Sequence, residues 1–276
     1  TVDQIKNLST ANVSALSSTQ VALLATTQMA ALTTAQVKAL SATDIGELSS
    51  AQVGAMTTSQ IAALATTQVK ELSATQIGGL TSSQLSAIAT TNLVVLDATQ
   101  MGSLNATQLK GMTSQQVAAL TTTNIGDLAD TQIGSLSAAQ LGAMTSTGFS
   151  ALNSTQVAAL TRGFRERFAG TELTLHFHNT RGMGLANVLA SIDAGADRFD
   201  ASLGGLGGCP YAPGASGNVC TEEIVHALEL MDFDTGCDLA VLLEAARRLP
   251  ALIGHDTPSQ IAKAGRRPDR HAPPPD

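Results

Sequence analysis

The sequence predicts two architectures in one chain: a repeat solenoid of very short helices over residues 1–160, followed by an α/β segment. Three observations lead to this prediction. Residues 1–160 align in eights without a gap, and a fixed period is the signature of repeat architectures. They contain no Arg, His, Cys or Pro, whereas all four residue types occur from Arg162 onward. The second part alternates strand-like and helix-like runs, as a βα barrel or an open parallel sheet does.

The octapeptide fits neither a continuous helix nor a continuous strand. A helix turns about 100° per residue, so an apolar stripe repeating every eight residues would wind around it. In a strand, positions five and eight would face opposite sides of the sheet. Repeats such as Thr33–Leu40 (TTAQVKAL) and Ser73–Leu80 (SATQIGGL) begin with Ser or Thr and place Gln three residues later, which is a capping box. We therefore expect one short helix per repeat, and stacked copies that bury a Val/Leu seam. A β-solenoid with Thr ladders is the alternative.

The repeats offer little chemistry. They hold no nucleophile–base pair, no metal-binding cluster and no aromatic platform, which favours a spacer or scaffold. Binding to an unknown surface or protein partner is the other interpretation, because similar low-complexity repeats occur in exported or surface proteins of bacteria.

The second part, residues 161–265, is expected to fold as alternating strands and helices. The predicted order is strand, helix, strand, glycine-rich loop, helix and helix: Leu173–His178, Gly182–Ala194, Arg198–Leu203, Gly204–Asn218, Thr221–Met231 and Asp238–Leu249. Thr221 is the expected N-cap of the first helix after the loop. In barrels of this order, chemistry lies at the carboxyl ends of the strands and in the loops that follow them.

Composition restricts partners and compartment. The net charge of -7 suggests no nucleic-acid partner. Three cysteines without a CxxC pair argue against disulfides or a zinc site and fit a reducing cytoplasm for the second part. No run approaches the ~18 apolar residues of a membrane-spanning helix. The polar, Pro-rich tail at residues 266–276 is expected to be disordered.

Four residues of the second part are candidates for a site. His176 and His178 alternate along a strand, so both imidazoles can reach one divalent cation; two ordinary polar histidines are the alternative. Cys209 lies in the glycine-rich loop, where a thiol with a lowered pKa could act as an acid, base or nucleophile; an incidental small residue is the alternative. Asn218 ends that loop and could bind a metal, although its spacing alone favours a cap for the next helix.

Three other residues with reactive side chains are expected to be structural. Cys220 and Cys237 should be buried packing residues. His226 should be an ordinary residue on a helix face.

The second part resembles the hydroxymethylglutaryl-CoA (HMG-CoA) lyase family. The resemblance runs from about Arg162 to Arg267 and is most specific at GGCPYAPGASGN, which contains Cys209. It implies a fragment of a TIM barrel that uses an acyl-CoA substrate. It also implies Mg²⁺ or Mn²⁺ held by His176 and His178 with Asn218, and Cys209 as the catalytic cysteine.

The resemblance also predicts what is absent. The family cleaves HMG-CoA to acetoacetate and acetyl-CoA, and its site includes an adjacent Arg–Asp pair on the first barrel strand. Residues 1–160 contain no Arg, and two strands cannot close a barrel. We therefore expect this chain to show no lyase activity by itself. The alternative is a structural or adhesive repeat protein with an incidental lyase tail.

Overall fold

The computed structural model describes residues 1–179, 182–208 and 217–266. The chain divides into two compact units, Thr1–Leu152 and Asn153–Asp276. The boundary thus falls one repeat before the change in composition at Arg162. Among the described residues, every helix is too short or too polar to span a bilayer.

The first unit consists of nineteen helices of four to six residues. One short helix forms in each octapeptide, and no strand forms in residues 1–152, all of which the structure describes. The helices are α1 (Val2–Lys6), α2 (Thr10–Ser14), α3 (Ser18–Ala22), α4 (Thr26–Ala31), α5 (Thr34–Ala39), α6 (Ala42–Gly46), α7 (Ser50–Ala55), α8 (Thr58–Ala62), α9 (Thr66–Lys70), α10 (Ala74–Gly78), α11 (Ser82–Ala87), α12 (Thr90–Leu93), α13 (Ala98–Gly102), α14 (Ala106–Gly111), α15 (Ser114–Ala119), α16 (Thr122–Asp127), α17 (Asp130–Gly134), α18 (Ala138–Ala143) and α19 (Ser146–Phe149).

The capping box explains why each helix starts where it does. In α10, the Ser73 hydroxyl accepts a hydrogen bond from the Gln76 backbone N–H at 3.2 Å, and the Ser73 backbone N–H donates to Gln76 Oε1 at 2.6 Å. These bonds satisfy two of the backbone donors that a helix start leaves unpaired. The helix ends after about one turn at Gly78, and the next capping box begins at Thr81. Because a single turn cannot stand alone in water, each helix depends on its neighbours.

The core of the first unit is built from positions five and eight of the repeat. Val37 and Leu40, for example, are 0% and 3% exposed. Each helix packs against the helix three further along the chain, such as α4 against α7 and α15 against α18. The apolar pair of one repeat is thereby covered by later repeats, and the seam is continuous.

A ladder of glutamine side chains joins successive layers of the first unit. Gln76, 2% exposed, donates from Nε2 to the carbonyls of Ile45 at 3.0 Å and Leu48 at 2.6 Å. The same two bonds, reaching back 31 and 28 residues, recur at Gln68 and Gln108. The glutamine at position four therefore caps its own helix with Oε1 and binds an earlier layer with Nε2.

The second unit contains a small parallel sheet with helices around it. Its elements are α20 (Ser154–Arg167), β1 (Thr174–His176), α21 (Gly184–Asp193), β2 (Arg198–Asp200), a 3₁₀ turn (Leu203–Gly205), α22 (Thr221–Glu229), α23 (Leu239–Ile253) and α24 (Gln260–Ala264). β1 and β2 pair in parallel, which confirms the predicted strand–helix–strand order. The structure shortens both strands to three residues.

Two apolar clusters hold this unit together. Val188, Val219, Ile224 and Leu228 form one cluster, against which Phe177 and other half-buried residues of the sheet and α21 pack. Val225, Leu239, Leu243 and Ile261 form the other, between α22, α23 and α24. α22 contributes to both clusters, because Ile224 and Leu228 belong to the first and Val225 to the second; the helix follows directly on the segment that carries Asn218.

Two expectations about side chains in this unit are wrong. Cys237 is exposed, whereas Cys220 is buried as expected. Thr221 is not the N-cap of α22, because the cap position is Cys220 and no side chain satisfies it. The predicted disordered tail lies outside the described residues, apart from Arg266.

Candidate functional site

The two faces of the sheet differ in character. Leu175 pairs with Phe199, and His176 pairs with Asp200, in the register of the parallel strands. Because side chains alternate along a strand, Phe177 and Phe199 point to the same side, where they pack on the apolar cluster around Val188. His176 and Asp200 point to the opposite side, where their side chains are 45% and 64% exposed.

His176 and His178 lie side by side on the open face. Their ring centroids are 5.1 Å apart in an edge-to-face arrangement. His176 Nδ1 lies 3.2 Å from Asp200 Oδ2. A carboxylate on one ring nitrogen fixes the orientation of the imidazole and leaves Nε2 for another partner. The predicted convergence of the two imidazoles is therefore present, with a carboxylate behind one of them.

Asn218 reaches this place through the backbone. The backbone of Asn218 pairs with that of His178 in an isolated antiparallel bridge. The side-chain Nδ2 of Asn218 donates a hydrogen bond to the Leu206 carbonyl at 3.0 Å. A side chain at Gly207 would lie 3.0 Å from Asn218 Nδ2, so the glycine leaves room for the amide. With Nδ2 engaged, Oδ1 is the atom left to accept or to ligate. Asn218 does not cap the next helix, because the N-cap of α22 is Cys220.

The glycine-rich loop begins with a constrained turn. Gly204 and Gly205 have φ values of 65° and 67°, a region that favours glycine. The Gly204 N–H donates to both carboxylate oxygens of Glu222, each at 3.1 Å, and Glu222 is 0% exposed. The buried carboxylate thus ties the start of the loop to α22. Cys209, the predicted catalytic cysteine, lies outside the described residues.

The thiol of Cys220 is not suited to act as a nucleophile. Burial, together with the nearby carboxylates of Glu223 and Glu222, raises the pKa of its thiol to about 12. A thiol with such a pKa stays neutral at physiological pH. Cys220 is therefore a packing residue beside the loop.

The donors fit part of a divalent cation site. Two imidazole nitrogens and an amide oxygen are ligand types that Mn²⁺ accepts. In the described part of the chain, no three His, Cys, Asp or Glu side chains form a group that could hold a metal ion. The set therefore consists of His176, His178 and Asn218, with Asp200 behind His176. Sequence reasoning missed Asp200, whose only signal was its place in the second predicted strand.

The fold and the site define an α/β segment that carries polar side chains at the carboxyl ends of parallel strands. The family model described as HMGL-like matches residues 5–249. The chain is 45% identical over 109 residues to a (R)-citramalyl-CoA lyase from Chloroflexus aurantiacus, covering 40% of this chain and 34% of that protein. It is 50% identical over 94 residues to a hydroxymethylglutaryl-CoA lyase from Bacillus subtilis, covering 34% of this chain and 31% of that protein.

A solved structure is also similar to part of this chain. It is an HMG-CoA lyase from Acinetobacter baumannii in complex with coenzyme A and 3-methylmalate, 56% identical, with a TM-score of 0.43, covering 45% of this chain and 41% of that one. The chain belongs to the HMGL-like family, a family of TIM-barrel lyases. It spans about a third of the length of the curated relatives it matches.

Proposed function

We propose that residues 161–265 are the cation-binding end of an HMG-CoA lyase-type enzyme, and that the 276-residue chain does not cleave HMG-CoA by itself. The observation that carries this proposal is the meeting of three predicted ligands. His176 and His178 share one open face, and a backbone bridge brings Asn218 to His178. The relatives named as acyl-CoA lyases support the reaction class.

The residues have separate roles in this proposal. His176, His178 and Asn218 Oδ1 hold Mg²⁺ or Mn²⁺, and Asp200 orients His176 through Nδ1. When bound, the cation polarises substrate oxygens and stabilises the charge that develops on them. Cys209 is the catalytic cysteine on the loop that Glu222 anchors at Gly204. The substrate is an acyl-CoA thioester, and the lyase-like part works in the cytoplasm, where Cys220 and Cys237 remain thiols.

The expected lack of lyase activity follows from the protein groups that the site would still need around the cation. The carboxylate nearest the imidazoles, Asp200, is engaged with His176 Nδ1. The Arg–Asp pair expected of the family has no counterpart in residues 1–160, which contain no Arg. The open face of the two-stranded sheet also leaves the site in contact with water, whereas electrostatic stabilisation of a transition state depends on excluding it.

Two measurements on the purified full chain test the proposal. Titration with Mn²⁺, followed by electron paramagnetic resonance of the free ion, should show one bound ion that the His176→Ala and His178→Ala variants lose. His255→Ala, a change of an exposed histidine elsewhere in the unit, is the matched control and should bind as the wild type does. Coupled detection of acetoacetate from HMG-CoA should remain at background with Mn²⁺ present. Unchanged Mn²⁺ binding in both variants, or enzymatic turnover, would contradict the proposal.

The first unit favours a second function. We propose that residues 1–160 form a helical solenoid that serves as a scaffold and binds an unknown surface or protein partner, as repeats of exported proteins do. Support comes from the buried seam and the glutamine ladder, which join successive repeats, and from the Ser and Thr residues at the starts of the repeats, many of which are exposed. Binding of the full chain to bacterial cells should then survive His176→Ala. Loss of cell binding in that variant would assign the adhesion to the lyase-like part.

A further inference from the structure

Ser202 lies between the second strand and the 3₁₀ turn that opens the glycine-rich loop. Its backbone is extended, with a φ of -125° and a ψ of 146°, so it continues the direction of the strand. The Ser202 N–H donates to the Val219 carbonyl at 3.2 Å, and the Ser202 carbonyl accepts from the Thr221 N–H at 2.9 Å. The backbone of Ser202 is therefore hydrogen-bonded to the segment that carries Asn218.

The side chain of Ser202 reaches forward to the loop. Its hydroxyl donates a hydrogen bond to the Leu206 carbonyl at 2.5 Å, at the short end of the range for bonds between two oxygens. The same carbonyl accepts a hydrogen bond from Asn218 Nδ2 at 3.0 Å. A carbonyl oxygen has two lone pairs, so it can accept both bonds at once. Leu206 thus joins the hydroxyl of Ser202 to the amide of Asn218.

The shared carbonyl selects which atom of the Asn218 amide is left for a ligand. An asparagine amide has an acceptor oxygen and a donor NH₂ group, and only the oxygen can bind a cation. Because the Leu206 carbonyl can only accept, it favours the orientation that engages Nδ2 and leaves Oδ1 for another partner. Gly207, directly after this carbonyl, has a φ of 96°, so the backbone here adopts a conformation that favours glycine.

The turn itself has supports that do not involve the Ser202 hydroxyl. The Gly205 N–H donates to the Ser202 carbonyl at 3.1 Å, and the Gly204 N–H donates to the buried carboxylate of Glu222. Both bonds would remain if the hydroxyl were removed. The change would therefore act on the Leu206 carbonyl at the end of the turn, and through it on the Asn218 amide.

We propose that Ser202 is a positioning residue for the cation site: its hydroxyl fixes the Leu206 carbonyl, which orients the Asn218 amide with Oδ1 free to bind the cation. Ser202 acts through these two residues and is not itself a ligand. The inference rests on the proposed function in one respect, that Asn218 binds a cation. The orientation of the amide is a property of the metal-free chain and can be measured without a cation.

The test compares two serine variants of the full chain, Ser202→Ala and Ser191→Ala. The Ser191 hydroxyl on α21 also donates to a backbone carbonyl four residues away, that of Asn187 at 2.7 Å, and Ser191 is 0% exposed. Ser191→Ala is therefore the matched control, because it removes the same kind of hydrogen bond from a helix instead of from the loop. Far-UV circular dichroism checks that both variants are folded.

Two measurements separate positioning from a general loosening of the structure. Electron paramagnetic resonance of free Mn²⁺ gives the dissociation constant of the cation. Nuclear magnetic resonance of the metal-free chain gives the rate at which the Asn218 Nδ2 protons exchange with water. The backbone N–H groups of Asn179 and Val219 donate to the Gly217 and Phe177 carbonyls, so their exchange reports whether the backbone on either side of Asn218 stays paired.

Ser202→Ala should bind Mn²⁺ about threefold to tenfold more weakly than the wild type, which corresponds to the loss of one hydrogen bond. The Asn218 Nδ2 protons should exchange at least about threefold faster in this variant, whereas the backbone N–H groups of Asn179 and Val219 should exchange at the wild-type rate. Ser191→Ala should match the wild type in Mn²⁺ affinity and in all three exchange rates.

A purely structural role of Ser202 would speed exchange at all three places, and that result would overturn the proposal. Wild-type exchange of the Nδ2 protons in Ser202→Ala, wild-type Mn²⁺ affinity in that variant, or an equal loss of affinity in Ser191→Ala would also overturn it. If the wild type binds no Mn²⁺, the proposed cation site is wrong, and the exchange rates alone then decide whether Ser202 orients the amide.

Discussion

One substitution separates the two roles of the repeat glutamine. In Gln76→Glu, the side chain can still accept the hydrogen bond from Ser73 N–H, so the capping box survives. The two Nε2 bonds to Ile45 and Leu48 are lost, and a carboxylate faces two carbonyl oxygens in a position that is 2% exposed. Gln20→Glu makes the same change at an exposed helix start with the same cap.

The magnitude follows from the contacts. Two net hydrogen bonds contribute about 1–3 kcal/mol, and an unpaired buried charge costs several kcal/mol more. We expect Gln76→Glu to lower the free energy of unfolding of the first unit by at least about 3 kcal/mol at neutral pH, and Gln20→Glu by less than about 0.5 kcal/mol. Burial should raise the pKa of the new carboxyl, so the destabilisation should shrink as the pH falls and the acid becomes neutral.

Urea denaturation followed by far-UV circular dichroism, with hydrogen exchange of residues 41–80 to localise the change, measures the difference. If the free energy of unfolding lost in Gln76→Glu is within about 1 kcal/mol of that lost in Gln20→Glu, the ladder is refuted.

Asp44 shows why the length of the side chain matters. Asp44 is buried at position four of its repeat, and its Oδ2 accepts a hydrogen bond from the backbone N–H of the N-cap residue Ser41. Its side chain is one methylene shorter than that of Glu, so its carboxylate does not extend toward the earlier layer. Gln76→Asp should therefore be milder than Gln76→Glu.

Three further predictions concern the second unit. Gly204→Ala should destabilise it by about 1–3 kcal/mol in thermal denaturation, because φ is 65° and the added Cβ would lie within 3.0 Å of two side chains. In the native protein at pH 8, iodoacetamide should label exposed Cys237 but not Cys220, because burial raises the pKa of the Cys220 thiol to about 12. Peptide mapping identifies the labelled cysteine, and a labelled Cys220 would contradict its burial. Asp200→Asn should weaken Mn²⁺ binding by about tenfold to a hundredfold, whereas His176→Ala should remove it; equal losses would show that Asp200 is a ligand rather than an orienting residue.

The local structure of the repeats could be predicted from the sequence, but the way they stack could not. The Ser/Thr and Gln pattern indicated one short helix per octapeptide because a capping box depends on residues three apart. The partner of Gln76 Nε2 lies 28 to 31 residues away, and an eight-residue period does not say how many repeats make one layer. One further pattern in the sequence has the same spacing as the ladder: Lys6, Lys38 and Lys70 recur every four repeats, and Gln76 binds carbonyls of the octapeptide four repeats before its own.

At the candidate site too, features set by neighbouring residues could be predicted from the sequence, whereas contacts between residues far apart in the sequence could not. His176 and His178 could be placed on one face because alternation along a strand is local. The contact of Asp200 with His176 depends on the register of two strands 24 residues apart, which no motif records. Asn218 illustrates a competing signal, since its spacing before α22 favoured a helix cap. The backbone bridge to His178 holds it at the sheet instead.

The charge of the proposed metal ligands explains both parts of the proposed function, cation binding and the lack of lyase activity. His176, His178 and Asn218 Oδ1 are neutral ligands, and the described carboxylate beside them, Asp200, is directed to Nδ1 of His176. Mg²⁺ and Mn²⁺ bind most firmly where carboxylates offset their charge. A cation held by these groups alone would therefore be bound weakly and would keep water ligands on the open face of the sheet. The proposed site thus leaves a cation short of the protein groups that lyase chemistry requires, and supplying a carboxylate opposite the imidazoles should strengthen Mn²⁺ binding before it restores any activity.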